Sequence, residues 1–254
     1  MKFAIKSIVA ATAFVAAGLA SAAPVTVAAG TGTFNGLSLE GTGTLAFSAA
    51  LLEALDVGKI AITPYGSLVS SVVDNDQGFY ETVSATARIT GLTVESSNGN
   101  VLSAATTGGL TQVAPVQRSV SSGGSLTVTD LNVDLANNKV FATIIGGNGV
   151  GTLTNFHLWN IGSITGATSV TGAGTFTTDI SGLSITTAGF DTFVRSLGLL
   201  TLGRGALATV EDFGTIRSTI VATSVTPAIP EPSTYALMGL GLVGIALAAR
   251  RRAK

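Results

Sequence analysis

Period-two alternation broken by turn residues constrains this chain more than any other feature. In S-L-T-V-T-D-L-N-V-D-L, from Ser125 to Leu135, apolar residues fall at Leu126 and Val128 and then at Leu131, Val133 and Leu135. Successive side chains of a strand point to opposite faces, so this change of parity predicts a bulge or break near Thr129-Asp130. Asn137-Asn138 and Gly146-Gly147-Asn148-Gly149 bracket Lys139 to Ile145. Those bracketing residues tolerate the positive φ of tight turns. Within the bracket Val140, Ala142 and Ile144 alternate with Phe141, Thr143 and Ile145. Both faces are largely apolar, which predicts a central rather than an edge strand. Leu37, Leu39, Leu45 and Phe47 also share one parity. Together these stretches predict an all-β fold, a single antiparallel β-sandwich-like domain built as a meander. A β-solenoid is the alternative, weakened by the lack of a constant repeat.

Two places carry helical spacing instead. Phe190, Phe193, Val194 and Leu197 lie at i, i+3, i+4 and i+7, with Asp191 and Arg195 spaced for an ion pair and Gly198 where a glycine cap belongs. Ser48 precedes A-A-L-L-E-A-L as an N-cap, with Leu51, Leu52 and Leu55 on one face. Each helix follows a strand-like segment (Leu45 to Phe47; Leu183 to Ile185) and precedes another apolar one (Val57 to Ile62; Leu199 to Leu202), so a strand, helix, strand unit is expected twice. Composition agrees with a strand-rich fold carrying one or two short helices. Of 254 residues 32 are Gly, only 11% are charged and none is Cys. Without disulfides the fold rests on core packing alone.

Charge is concentrated at the ends. Between Ala23 and Ile229 seven cations face thirteen acids, a net of −6, which offers no basic surface to a phosphate backbone and argues against nucleic acid as a partner. At the N-terminus Lys2 and Lys6 precede the apolar run Ile8 to Leu19, and Ala20-Ser21-Ala22 forms a small-x-small cleavage site. That is the pattern of a secretory signal peptide over residues 1–22, read by the Sec machinery and signal peptidase. Twelve apolar residues span only about 18 Å as a helix, against roughly 30 Å of bilayer hydrocarbon. Cleavage after Ala22 starts the mature chain at Ala23.

The C-terminus, residues 227–254, reads P-A-I-P-E-P-S-T-Y-A-L-M-G-L-G-L-V-G-I-A-L-A-A-R-R-R-A-K. Ser233 to Ala249 carry no charge, about 25 Å as a helix, enough for a short membrane span. Arg250, Arg251, Arg252 and Lys254 then hold the C-terminus on the cytoplasmic side as stop-transfer cations. Pro230-Glu231-Pro232, the apolar helix and the Arg cluster, in this order, resemble the PEP-CTERM sorting signal of Gram-negative bacteria. The resemblance implies recognition by a membrane-embedded exosortase that cuts near Pro230-Glu231-Pro232. It implies a protein tethered to the inner membrane before processing and then passed to the envelope, the outer surface or the medium.

Residues 23–226, the β-rich extracytoplasmic body, offer sparse chemistry. With one His and no Cys a His/Cys zinc site is excluded, and His157 lacks the G-x-S-x-G elbow of a serine hydrolase. In N-F-H-L-W-N the period places Phe156 and Leu158 on one face and His157 and Trp159 on the other. Asp74 and Asp76 open a run resembling an acidic calcium loop that lacks its third acid and distant Glu; a surface turn is the simpler reading. Asp130 with Asp134, or Glu211 with Asp212, are the acid pairs a glycosidase would need, with nothing to fix their separation. No enzyme is expected.

G-T-L-A-F-S-A-A-L-L-E-A-L and S-L-T-V-T-D-L-N-V-D-L-A-N-N-K-V-F-A-T-I resemble HtaA-type bacterial surface domains, which include haem-binding proteins of β-rich fold. The resemblance implies a tyrosine iron ligand supported by a histidine; Tyr65, Tyr80 and His157 are the body residues of those types. Haem is therefore the alternative to a body without a cofactor. The expected function is a noncatalytic envelope or matrix protein associated with exopolysaccharide or biofilm, with an HtaA-like haem- or ligand-binding domain as the second reading.

Overall fold

The computed structural model describes residues 23–225 together with Leu237 and Leu240. The expected leader, with Ala20 and Ala22, and the expected tail, with Pro230, Glu231, Pro232, Arg250, Arg251, Arg252 and Lys254, lie outside the described residues. So does the expected membrane helix apart from those two leucines, and among the described residues no helix is long and apolar enough to cross a membrane.

The chain opens with strands β1 (Pro24–Ala28), β2 (Thr33–Phe34) and β3 (Leu37–Phe47), then helix α1 (Ala49–Val57). Strands β4 (Ala61–Tyr65), β5 (Leu68–Asp76), β6 (Phe79–Glu95), β7 (Val101–Thr106), β8 (Gly109–Gln117) and β9 (Ser121–Asp134) follow. Next come β10 (Lys139–Gly146), β11 (Gly151–Asn160), β12 (Ser163–Gly166), β13 (Gly174–Ser181) and β14 (Ser184–Ile185). Helices α2 (Thr187–Ser196) and α3 (Thr201–Ala208) precede the last strand, β15 (Gly214–Ser224).

Every strand pairing is antiparallel, which disposes of the solenoid. The main path runs β12-β13-β15-β3-β6-β7-β9-β10-β11-β14, with β1 and β5 also on β6, β2 on β3, β8 on β9 and β4 on β8. β6 turns this one sheet into two walls. Its first half pairs β3 and β5, its second half pairs β1 and β7, and its register on β7 shifts between Ile89 and Gly91. The sheet stays unclosed, although Gly162, between β11 and β12, donates its N–H to the carbonyls of Ser181 and Gly182 and draws the two ends together.

Local expectations from the strand pattern are met around β9. Asp130 stands at φ 51°, and the β9–β10 register slips between the Asn132–Phe141 and Thr129–Thr143 pairs, so the parity change is a bulge. β10 lies between β9 and β11, as its two apolar faces require. Further along, β11 departs from simple alternation. Its register on β10 shifts twice and Asn155 takes φ 50°, so neighbouring Leu158 and Trp159 are both buried and the expected division of faces fails.

Both expected helices form. The Ser48 hydroxyl accepts from Leu51 N–H at 3.1 Å, and Leu51, Leu52 and Leu55 are buried. α2 ends in Gly198 at φ 62°, with Gly198 N–H on the Arg195 carbonyl and Leu199 N–H on the Val194 carbonyl, the paired bonds of a Schellman motif. The Asp191–Arg195 ion pair does not form; Arg195 reaches the Asn148 and Gly149 carbonyls at 3.4 Å instead. The second strand, helix, strand unit also fails: Leu199 makes a single bridge to Ser121, and the chain then winds into α3.

Buried apolar residues form two clusters. The larger gathers Leu51, Val83, Ile144, Trp159, Ile180, Phe193, Phe213 and Ile216; the smaller gathers Leu39, Ile89, Leu92, Val94 and Ile220. Among the described residues the buried apolar side chains run from Val27 to Ala222, and both clusters are built from the strands and helices of the body.

Candidate functional site

A cavity runs between the walls where the two clusters meet, and the register explains it. On the inner face of β13, β15, β3 and β6, Ile180, Ile216, Leu45 and Ala85 form one cross-strand row. Two residues along, the row reads Thr178, Ser218, Gly43 and Ala87. Phe176 and Ile220 begin the next row, which is bulky again, with Ile89 Cδ1 2.9 Å from where a Gly41 Cβ would stand. A small-residue row between two bulky ones leaves space that close packing would otherwise fill. Ala87 is buried yet belongs to neither cluster. A Cβ on Gly43 would meet only the Thr106 methyl, at 3.3 Å.

The opposite wall comes from Val101, Ala104 and Thr106 of β7, Leu110 and Gln112 of β8, and Val128 and Val133 of β9. Trp159, Phe193, Phe213 and Leu51 line it as well. Atom-free space along the seam totals about 990 Å³, open solvent at its mouth included, and the cavity volume is about 50 Å³. No charged residue lines it. Three lining residues nevertheless hold buried polar atoms without a hydrogen-bond partner: Gln112 Oε1, Trp159 Nε1 and Ser218 Oγ. Gln112 is 2% exposed and Trp159 3%. Sequence reasoning missed this site because its small row draws on four strands that no local pattern connects.

The residues singled out from sequence lie elsewhere. Tyr65 ends β4 and is exposed, while His157 is half-buried on β11, its ring 5.3 Å from that of Phe141. Three strands, β8, β9 and β10, separate them, roughly 19 Å at the usual strand spacing. His157 Nε2 is buried without a partner, and neither residue lines the cavity. Tyr80 donates its hydroxyl to the Ile60 carbonyl at 2.8 Å. Burial pushes its phenol up, a backbone hydrogen bond from Ile62 opposes this, and the Asp56 carboxylate adds to the rise.

Of the candidate acids, Asp130, Asp134 and Asp212 have structural partners. Asp74 and Asp76 sit in the exposed β5–β6 hairpin, whose turn is Gln77-Gly78 at φ 51° and 89°. Among the described residues no three His, Asp or Glu side chains gather as a metal site. Asp130 Oδ1 accepts from Gly108 N–H and from the Thr107 and Thr129 hydroxyls. Asp134 accepts from Asn137, and Asp212 from the Leu183 and Gly214 amides. These carboxylates hold turns and a bulge; none faces the cavity.

The last of the contiguous described residues, Val225, donates its N–H to the Gly36 carbonyl. Residues 228–252 match the PEP-CTERM protein-sorting motif. This match supports an exported protein with a membrane-associated C-terminal sorting signal, processed by an exosortase. Among solved structures the chain is similar to the heme binding protein HtaB from Corynebacterium glutamicum. The TM-score is 0.42 and the identity 12%, over 79% of this chain and 98% of that one. Comparison with curated proteins finds no match.

Proposed function

We propose that the chain is a noncatalytic envelope or matrix protein, delivered by exosortase sorting and associated with extracellular polysaccharide. The observation that carries this reading is the sorting motif at 228–252, which starts four residues after the last described strand ends at Ser224. Cutting near Pro230-Glu231-Pro232 removes none of the buried core residues of the body. In this reading the uncharged run Ser233 to Ala249 before the terminal cations holds the chain in the inner membrane until it is cut, with the body outside.

Contact with a hydrated polymer falls to the outer face of β13, β15, β3 and β6. There Thr177, Thr219 and Thr42 stand side by side and lead to Arg88, next to a row of Asp179, Arg217, Thr44 and Thr86. Hydroxyls on a flat sheet suit hydrogen bonding to sugars. The only Trp is buried and does not serve as a stacking platform. Haem has no part in this reading, because Tyr65 and His157 stand strands apart and the cavity holds neither. Nor has catalysis, because Asp130, Asp134 and Asp212 are engaged by backbone amides.

Intact mass of the protein from envelope and medium tests sorting. The wild-type chain should end near residue 230, whereas Pro230→Ala with Pro232→Ala should stay full length and membrane-bound. Full-length wild type in both fractions refutes processing. Co-sedimentation of residues 23 to 229 with purified extracellular polymer tests the second half, and should weaken when Thr42 and Thr219 become Val.

A further inference from the structure

The cavity raises a question that sorting does not answer. Its walls are apolar, yet three of the residues that line it each carry a buried polar atom with no partner: Gln112 Oε1, Trp159 Nε1 and Ser218 Oγ. Buried polar groups are nearly always paired in folded proteins, and several orphans along one void are what an unfilled binding site presents. We propose that this cavity binds a slender, uncharged amphiphile, an alkyl or acyl chain that ends in a hydroxyl. The inference does not depend on the sorting function.

Each part of that ligand answers a feature of the site. The orphan on Gln112 is an acceptor, that on Trp159 a donor, and the Ser218 hydroxyl is both. A hydroxyl head both donates and accepts, so it satisfies this mixture where a pure acceptor or a pure donor leaves one group unmade. No charged side chain lines the cavity, so a carboxylate or ammonium head would lie there without a counter-ion. The cavity, about 50 Å³, opens into a seam of about 990 Å³ along which an apolar chain continues. Water is the competing occupant. An ordered buried water makes two to four hydrogen bonds, and leucine, isoleucine, valine and aromatic side chains supply most of this wall.

The single tryptophan in the wall is a built-in reporter. Residues 23 to 229 are titrated with N-phenyl-1-naphthylamine, a neutral probe, and energy transfer from Trp159 is read. Saturable transfer is expected, displaced by 1-decanol and not by decanoate or decylammonium at pH 7. Ala87→Leu with Ser218→Leu fills the small row and should weaken the probe about tenfold, with far-UV circular dichroism unchanged. Gln112→Leu, which leaves the row open, should keep the probe and weaken decanol about tenfold. Absence of saturable transfer means a water-filled or empty void and overturns the proposal. Equal displacement by decanoate overturns it too, as does a Gln112→Leu protein with wild-type decanol affinity.

Discussion

Asp130 shows how much one residue settles. At φ 51° it holds a conformation that L-residues adopt reluctantly, and its Oδ1 accepts from Gly108 N–H, Thr107 Oγ1 and Thr129 Oγ1. The bulge reverses the parity of β9, so Leu131 and Val133 reach the interior. Asp130→Ala loses the acceptor and keeps the unfavourable φ; it should cost about 2–4 kcal/mol in urea unfolding, and Asp130→Gly about 1 kcal/mol less. Tyr80 sets an alkaline limit. Its raised pKa favours the protonated phenol in the fold, so its contribution is whole below the ordinary value of 10.0 and fades as pH rises through the folded value. Tyr80→Phe should be less stable than wild type at pH 7 by about 1 kcal/mol, from the lost bond to Ile60. The gap should narrow above pH 10.0, and a constant gap would refute the assignment.

Among the elements, α1 and α2 were legible because their signals are local. Ser48, the leucine spacing and Gly198 act within a few residues of the turns they shape. α3 was not legible: T-L-G-R-G-A-L-A carries two glycines, and its N-cap, Leu200, makes no side-chain cap bond. Tertiary contacts wind it instead. Leu200 N–H bonds the Val120 carbonyl and Leu202 N–H the Ser119 carbonyl, and a Cβ on Gly203 would lie 2.4 Å from Val120 O. β11 hid its two buried neighbours for a similar reason, since its bulges answer to β10 and leave no mark in its own period. The Schellman end of α2 gives an element-scale prediction. A Cβ on Gly198 would stand 2.5 Å from Ser122 Oγ and 2.6 Å from Gly123 O, at φ 62°. Gly198→Ala should therefore cost about 2–3 kcal/mol by thermal unfolding, beyond the usual left-handed penalty of about 1–2 kcal/mol. A cost under about 1 kcal/mol would mean that β9 yields to it.

At the scale of the whole molecule, sheet order is what the sequence hid. Phe47 pairs with Gly214, far along the chain, and the small row exists only once β13, β15, β3 and β6 lie side by side. Those same strands couple the two core clusters. β3 carries Leu39 into the smaller and Leu45 against the larger; β6 does so with Ile89 and Val83, and β15 with Ile220 and Ile216. A strand that loses its pairing in one cluster loses it in the other, so the void between them should not divide the body into separately melting halves. Trp159 reports the larger cluster alone, whereas far-UV circular dichroism reports all strands. In urea the two signals of residues 23 to 229 should trace one coincident transition. Two resolved midpoints would show that the small-residue row decouples the clusters despite the strands that cross it.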